Sequence, residues 1–418
     1  MVARGSGGLL LCVALLLAMP ALAATPADRG ECAASADKAD VGGAACSRII
    51  DDASEQVAER VKAFTNRGRG SFNRKDYDRA IADYGEAIKL SPKDASAFTQ
   101  RCEAHESKED HVAAIADCTE AIRIDPEYGW AYNNRGVAYY GLHEYDAALA
   151  DHAEAIRVDS RDVWAYARRG MAWTEKGEFD QAVADLTEAV TIDPKYAFGF
   201  GQRGHALFRK RLITKKGGWE PAIADYSEAI KLDPNLLWLY SSRGVAYSNN
   251  RQYDLAVPDC SEVIKREPEN SAGYNCGGVA YEGLKDYRRA IAHYDQSIGI
   301  DPRNGVAYWN RGNAKKALRK IDEAIADYDQ AIAINPKDFN AFNSRGQAYV
   351  AKGDSSRAIA DYTQAIQFGP SYVEAYDNRG LSYVVLGRRA EAIADFRKAQ
   401  SIDPADQVSK QQLRVLGF

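Results

Sequence analysis

An Arg-Gly step returns along this chain with its glycine at Gly68, Gly136, Gly170, Gly204, Gly244, Gly312, Gly346 and Gly380, and Cys102 and Gly278 fill the two vacant places. Successive marks lie 34 residues apart, except for the 40 between Gly204 and Gly244. A period of this size is the mark of small units that cannot bury their apolar faces alone and must stack on their neighbours. Counted from seven residues before each mark, ten units cover 61–406: 61–94, 95–128, 129–162, 163–196, 197–236 with an insertion, 237–270, 271–304, 305–338, 339–372 and 373–406.

Each unit reads as two helices. Its first half carries bulky residues at positions 4 and 11, such as Tyr132 and Tyr139, with a small one at 8. Its second half has Ala at position 20 in every unit, from Ala80 to Ala392, with an aromatic, Leu, His or Cys at 24. Spacings of 4, 7 and 8 define one helical face. Small residues on facing stripes let two axes approach while the rings fill the space beside them. Proline at position 32 in nine units, from Pro92 to Pro404, ends the second helix.

This pattern resembles the tetratricopeptide repeat family, with its 34-residue helix-turn-helix unit and closing proline. The resemblance covers 61–406. It implies an all-α fold, an α-solenoid wound as a right-handed superhelix of ten units with terminal caps, in which the first helix of each pair lines an inner groove.

Nine units carry Arg at position 7 together with Asp at 23, including Arg67 with Asp83, Arg135 with Asp151 and Arg345 with Asp361. The seventh has Gly277 and His293 and loses both together. Joint loss points to a structural ion pair within each unit; a ladder of arginines for anions is the functional alternative. Gly273, Gly277, Gly278 and Gly283 also mark the seventh unit as a soft joint, because glycine weakens a helix.

Residues 1–23 read as a signal peptide, with Arg4, the apolar run Leu9–Met19 and the small-residue site Ala21-Leu22-Ala23. The chain is therefore expected to be exported, to the periplasm first and to the medium second. Residues 24–60 read as an N-terminal cap with a degenerate half repeat, and 407–418 as a closing helix. Cys32 and Cys46 are expected to form a disulfide in an exported chain. Cys102 and Cys118 face each other across one helix pair and form a weaker candidate. Cys260 is expected in the core, unpaired with Cys276. The fifth unit's six extra residues bring Arg209, Lys210, Arg211, Lys215 and Lys216 together near Trp219. They read as a solvated helix extension, or as a docking element for an acidic partner or anionic lipid headgroups.

The 46% hydrophobic and 27% charged content excludes bulk disorder, and a net charge of −5 argues against a nucleic-acid binder. No metal-binding, nucleophile-elbow, phosphate-loop or dinucleotide motif is present, and no segment outside the repeats is large enough for a catalytic domain. The expectation is a non-enzyme with no catalytic residue, no metal and no cofactor.

Function should then lie on the groove. Positions 2, 5, 9, 12 and 13 of the first helix face away from its packing stripe. They present Lys62 and Arg69 at the basic start, then Trp130, Val137, Tyr140, Trp164, Met171, Phe198, His205, Phe208, Trp238 and Val245, then Trp309 and Asn313. Asn133 and Asn134 border this surface, and asparagine suits a peptide backbone because it donates and accepts. Glu374 and Asp377 make the far end acidic. The family's two-carboxylate clamp is not reproduced, since its places hold Thr65, Arg69, Gln100, Trp130 and Asn134. The asparagines look more like the ladder in sugar-transferase grooves of this family. The reading is a scaffold that binds extended or helical protein segments in an aromatic groove, an adaptor of the cell envelope, with no integral membrane segment after signal cleavage. Self-association into a homo-oligomer and binding of glycan or peptidoglycan remain open, as does plain packing for the aromatics.

Overall fold

The computed structural model describes residues 23–34 and 43–418. The expected signal segment lies outside the described residues except for Ala23. All regular structure among the described residues is helical, in 23 helices, and the fold is an α-solenoid. The chain divides into two compact units, Met1–Glu178 and Phe179–Phe418.

Every repeat contributes a helix pair. In the first repeat these are Val57–Asn73 and Tyr77–Leu90, in the ninth Phe339–Ala351 and Ser355–Phe368. Pro92 and Pro370 each follow their second helix by two residues, where no further turn can form. Outside the fifth repeat, the turn inside each pair has one left-handed residue at position 15. Glycine supplies it at Gly177, Gly353 and Gly387, whereas Lys75, Glu109, His143, Arg251, Lys285 and Arg319 adopt it despite their side chains. Asp at position 16 repeatedly caps the second helix; Asp76 accepts from the Arg79 N–H, and Asp354 from that of Arg357.

The Gly at position 8 exists because of the ring at position 24. A Cβ built on Gly68 would lie 2.7 Å from the Tyr84 ring, on Gly312 2.7 Å from Tyr328, and on Gly346 2.6 Å from Tyr362. These tyrosines are buried and lie beside alanines of position 20, which are likewise inaccessible. The glycines behind the soft joint expected in the seventh repeat take part in the same packing. Its helix Ser271–Gly283 is continuous, and Gly277 admits the His293 ring, whose Nδ1 would stand 2.6 Å from an added Cβ. Gly278 and Gly283 likewise admit the rings of Tyr294 and Tyr253.

At the N-terminal end, helices Pro26–Ala34 and Gly43–Asp51 are joined by the Cys32–Cys46 disulfide. At the other end, helix Gln407–Val415 lays Leu413 on Ala392 and Phe396. Cys102 and Cys118 are bonded, with Cα atoms 5.7 Å apart. Cys260 and Cys276 are bonded as well, with Cα atoms 5.5 Å apart, which corrects the expectation that they stay apart. Position 24 of one repeat and position 6 of the next both converge on a position-8 glycine, here Gly244, whose added Cβ would meet Cys276 Sγ at 2.6 Å and Cys260 Sγ at 3.0 Å. With no side chain there, the two sulfurs share the space.

Candidate functional site

The arginine at position 7 is consumed by structure. In repeats one, two, three, five, six, eight, nine and ten, its Nε and Nη2 form a fork on the position-23 carboxylate: Arg67–Asp83 at 3.0 and 2.7 Å, Arg135–Asp151 at 2.8 and 2.8 Å, Arg345–Asp361 at 2.8 and 2.7 Å. The same guanidinium lies over the ring at position 4, as Arg203 does over Phe200 at 5.3 Å. Where position 25 of the preceding repeat is Thr, Ser or Asp, its third nitrogen reaches back to that side chain. Arg135 Nη1 donates to Thr119 Oγ1 at 3.1 Å, Arg243 to Ser227 Oγ at 3.0 Å, and Arg311 and Arg345 to Asp295 and Asp329 at 2.6 Å. Arg67 makes the equivalent bond to Ser47 of the cap at 2.9 Å, so the cap helix stands where a second repeat helix would. Where position 25 carries a side-chain oxygen the arginine thus ties two repeats, and these guanidinium groups do not form an open ladder for anions.

Asn133, Asn310 and Asn378 are likewise engaged within the structure. Asn133 is 5% exposed; its amide donates to Asp162 Oδ2 at 2.5 Å and its carbonyl oxygen lies 3.2 Å from His152 Nδ1. Asn310 donates to Asn275 at 3.2 Å and Asn378 to Asn343 at 3.0 Å, each across 35 residues. Asn134 differs: its amide nitrogen is buried without a hydrogen-bond partner among the described residues. The basic start is also paired: Lys62 meets Glu59 at 2.9 Å, and Arg69 meets Glu103 at 3.1 Å while lying over Phe72.

The aromatic series divides. Within Met1–Glu178, Trp130 and Trp164 are 44% and 50% exposed. Val137, Tyr140 and Met171 are half-buried, with Tyr140 edge-on to Tyr145. Within Phe179–Phe418, Phe198 and Trp238 meet edge to face at 6.4 Å, and Trp238 covers Gly201. Trp309 donates its indole N–H to Ser344 Oγ at 2.9 Å. These three rings pack on neighbouring first helices.

What opens between them is recess. A cavity of about 370 Å³ is lined by His205, Phe208, Ser241, Ser242, Val245, Ser271, Asn275, Asn304 and Val306. Most of these lie at positions 2, 5, 9 and 12 of four successive repeats. Val306 is 55% exposed and occupies the position-2 place that carries tryptophan elsewhere. A second recess of about 470 Å³ is lined by Asn249, Val279, Glu282, Lys285, Trp309 and Asn313 among others. Sequence reasoning passed over Ser241, Ser242, Asn304, Val306 and Glu282; only the position-2 register of Val306 signalled its place.

The second recess leads toward a carboxylate-rich end. Burial pushes the Glu282 carboxyl up, and Tyr294 OH donates to it at 2.9 Å. Lys316 donates to Gln347 at 2.7 Å, and burial lowers its pKa. Gln347, Asn343 and Tyr372 all donate to Glu374, at 2.9, 3.3 and 3.1 Å. Asp377 is 5% exposed, and burial next to Asp406 pushes it up to about 7. Among the described residues, no group of three or more His, Cys, Asp or Glu could hold a metal ion, and no helix is long and apolar enough to cross a membrane.

Paired helices in 34-residue register, stapled by arginine and opening recesses on one face, define a helical-repeat scaffold. Models of the tetratricopeptide repeat match the chain at 61–94 and 373–406, and at 133–197 and 242–305; a further one, described as TPR repeat, matches 212–250, 316–353 and 346–387. The chain is built of tetratricopeptide repeats. No curated protein matches it. Similar solved structures include yeast Tom70, 16% identical over 86% of this chain and 88% of that one, with a TM-score of 0.46. Two structures of MamA are 25% and 26% identical, covering 41% and 40% of this chain and 96% and 92% of theirs, each with a TM-score of 0.36.

Proposed function

We propose that this chain is a non-catalytic scaffold that binds extended or helical protein segments along the recessed face of residues 179–418. The observation that carries the reading is the cavity of about 370 Å³ whose lining recurs at groove positions of successive repeats. Its walls mix Phe208, Val245 and Val306 with Ser241, Ser242 and Asn304, a few polar groups set among apolar ones, as a peptide site requires. Half-exposed Trp130 and Trp164 offer a further apolar contact within Met1–Glu178. An exported, envelope location is supported by the signal-like N-terminal sequence and by the pairing of all six described cysteines, since disulfides persist in oxidising compartments.

The test is peptide display on the immobilised chain, repeated with Val245→Arg and Val306→Arg, which fill the recess. Peptides that select on the native chain and fail on both plugged variants carry the reading. Selection of no peptide, or equal retention by the plugged variants, removes it.

A further inference from the structure

The fifth repeat carries six residues more than any other, and the structure shows how they are built. They extend its first helix to Ala197–Thr214 and add a short loop before helix Glu220–Leu232. The extension is held in place. Trp219 packs on Phe208 with centroids 5.1 Å apart, and the Arg211 guanidinium lies over Trp219 at 5.2 Å. Lys210 is tied to Asp180 at 2.5 Å. The helix ends with Lys215 in the left-handed region, its N–H on Arg211 O at 3.1 Å, and the Thr214 hydroxyl accepts from Lys216 N–H at 3.2 Å.

This fixed projection presents an unusual set of side chains. Leu212 and Ile213 are 43% and 60% exposed, side by side on its last turn. Lys215 and Lys216 stand exposed immediately beyond them. An aliphatic pair held out on a helix end and flanked by cations is a convex, amphipathic tip. It suits shallow entry into a bilayer interface, where apolar groups leave water and ammonium groups meet lipid phosphate. A protein interface would call for a broader complementary area. The whole chain is acidic, at −5, so attraction to an anionic surface has to come from local basic sites such as this one. We propose that the projection at Leu212–Lys216 docks the protein peripherally on an anionic lipid bilayer, with Leu212 and Ile213 entering the interface and Lys215 and Lys216 meeting the headgroups.

The test is co-sedimentation of the full chain with vesicles of phosphatidylcholine alone or with roughly one third phosphatidylglycerol. Binding to the anionic vesicles only is expected, weakening as salt is raised. Lys215→Glu with Lys216→Glu should weaken it about tenfold or more. Leu212→Ser with Ile213→Ser should weaken it comparably, through a change that leaves the charge intact. All four side chains are exposed, and the variants' unfolding transitions check that they fold. Lys231→Glu with Lys265→Glu, exposed lysines elsewhere in Phe179–Phe418, is the charge-matched control and should bind as the native chain does. Equal binding to neutral vesicles, equal loss in the control, unchanged binding by either loop variant, or capture of polyglutamate but not of vesicles would each overturn the proposal.

Discussion

Arg345 grips Asp361 with two nitrogens, at 2.8 and 2.7 Å, and places its third on Asp329 of the preceding repeat at 2.6 Å. Asp361 is 5% exposed, and burial raises its pKa. One side chain therefore neutralises a buried carboxylate and sets the register between neighbours.

Arg345→Ala should lower stability by about 2–4 kcal/mol, because it strands Asp361 rather than merely deleting a pair. Arg345→Lys should recover only part, since an ammonium cannot form the two-nitrogen fork. Chemical unfolding measures both. A loss under about 1 kcal/mol for the alanine variant would contradict the staple.

Two glycine substitutions should have opposite signs. Gly346→Ala drives a Cβ to within 2.6 Å of the buried Tyr362 ring and should cost about 1–3 kcal/mol. Gly299→Ala meets nothing within 4 Å and should stabilise its helix by about 0.5–1 kcal/mol. Thermal melts of the two variants, run side by side, give the comparison.

The Cys260–Cys276 disulfide joins the sixth repeat to the seventh across a separation of 16 residues. Peptide mapping without reductant should recover Cys260 and Cys276 in one linked pair. Replacing both by Ala should cost about 3 kcal/mol in oxidised protein and nothing in protein already reduced.

Asp377 supplies a pH dependence. Its pKa, about 7, lies above that of an unfolded carboxyl, so the folded state holds its proton more tightly. That contribution to stability is fully present below about pH 4 and is lost as pH rises through about 7. Asp377→Asn should therefore stabilise by about 1–3 kcal/mol at pH 8 and by little at pH 4. A constant difference across that range would show that Asp377 does not titrate there.

The repeat frame was legible because packing at positions 7, 8, 20, 23 and 24 tolerates few residue types. Arg and Asp could be matched because Gly277 and His293 replace them together, and the ring of His293 then fills the place over Gly277. The reach of Arg345 to Asp329, or of Arg135 to Thr119, left no such trace, because any oxygen at position 25 serves. Cys276 was misjudged for a related reason: a single-repeat helical wheel does not show what the neighbouring repeat brings to the same glycine. The recessed face was legible as a set of positions, but not the fate of each side chain on it. Trp238 and Trp130 share a position, yet one covers Gly201 and meets Phe198 edge to face while the other remains 44% exposed, a difference the shared register does not encode.

The central claim is that protein segments lie along the recessed face. A display-selected peptide carrying a photo-crosslinker, irradiated with the intact chain and mapped by mass spectrometry, tests it most directly. Cross-links at His205, Phe208, Val245 or Val306 are predicted, and they should disappear in Val245→Arg. Cross-links confined to the second helices of the repeats, unaffected by that substitution, would contradict the account.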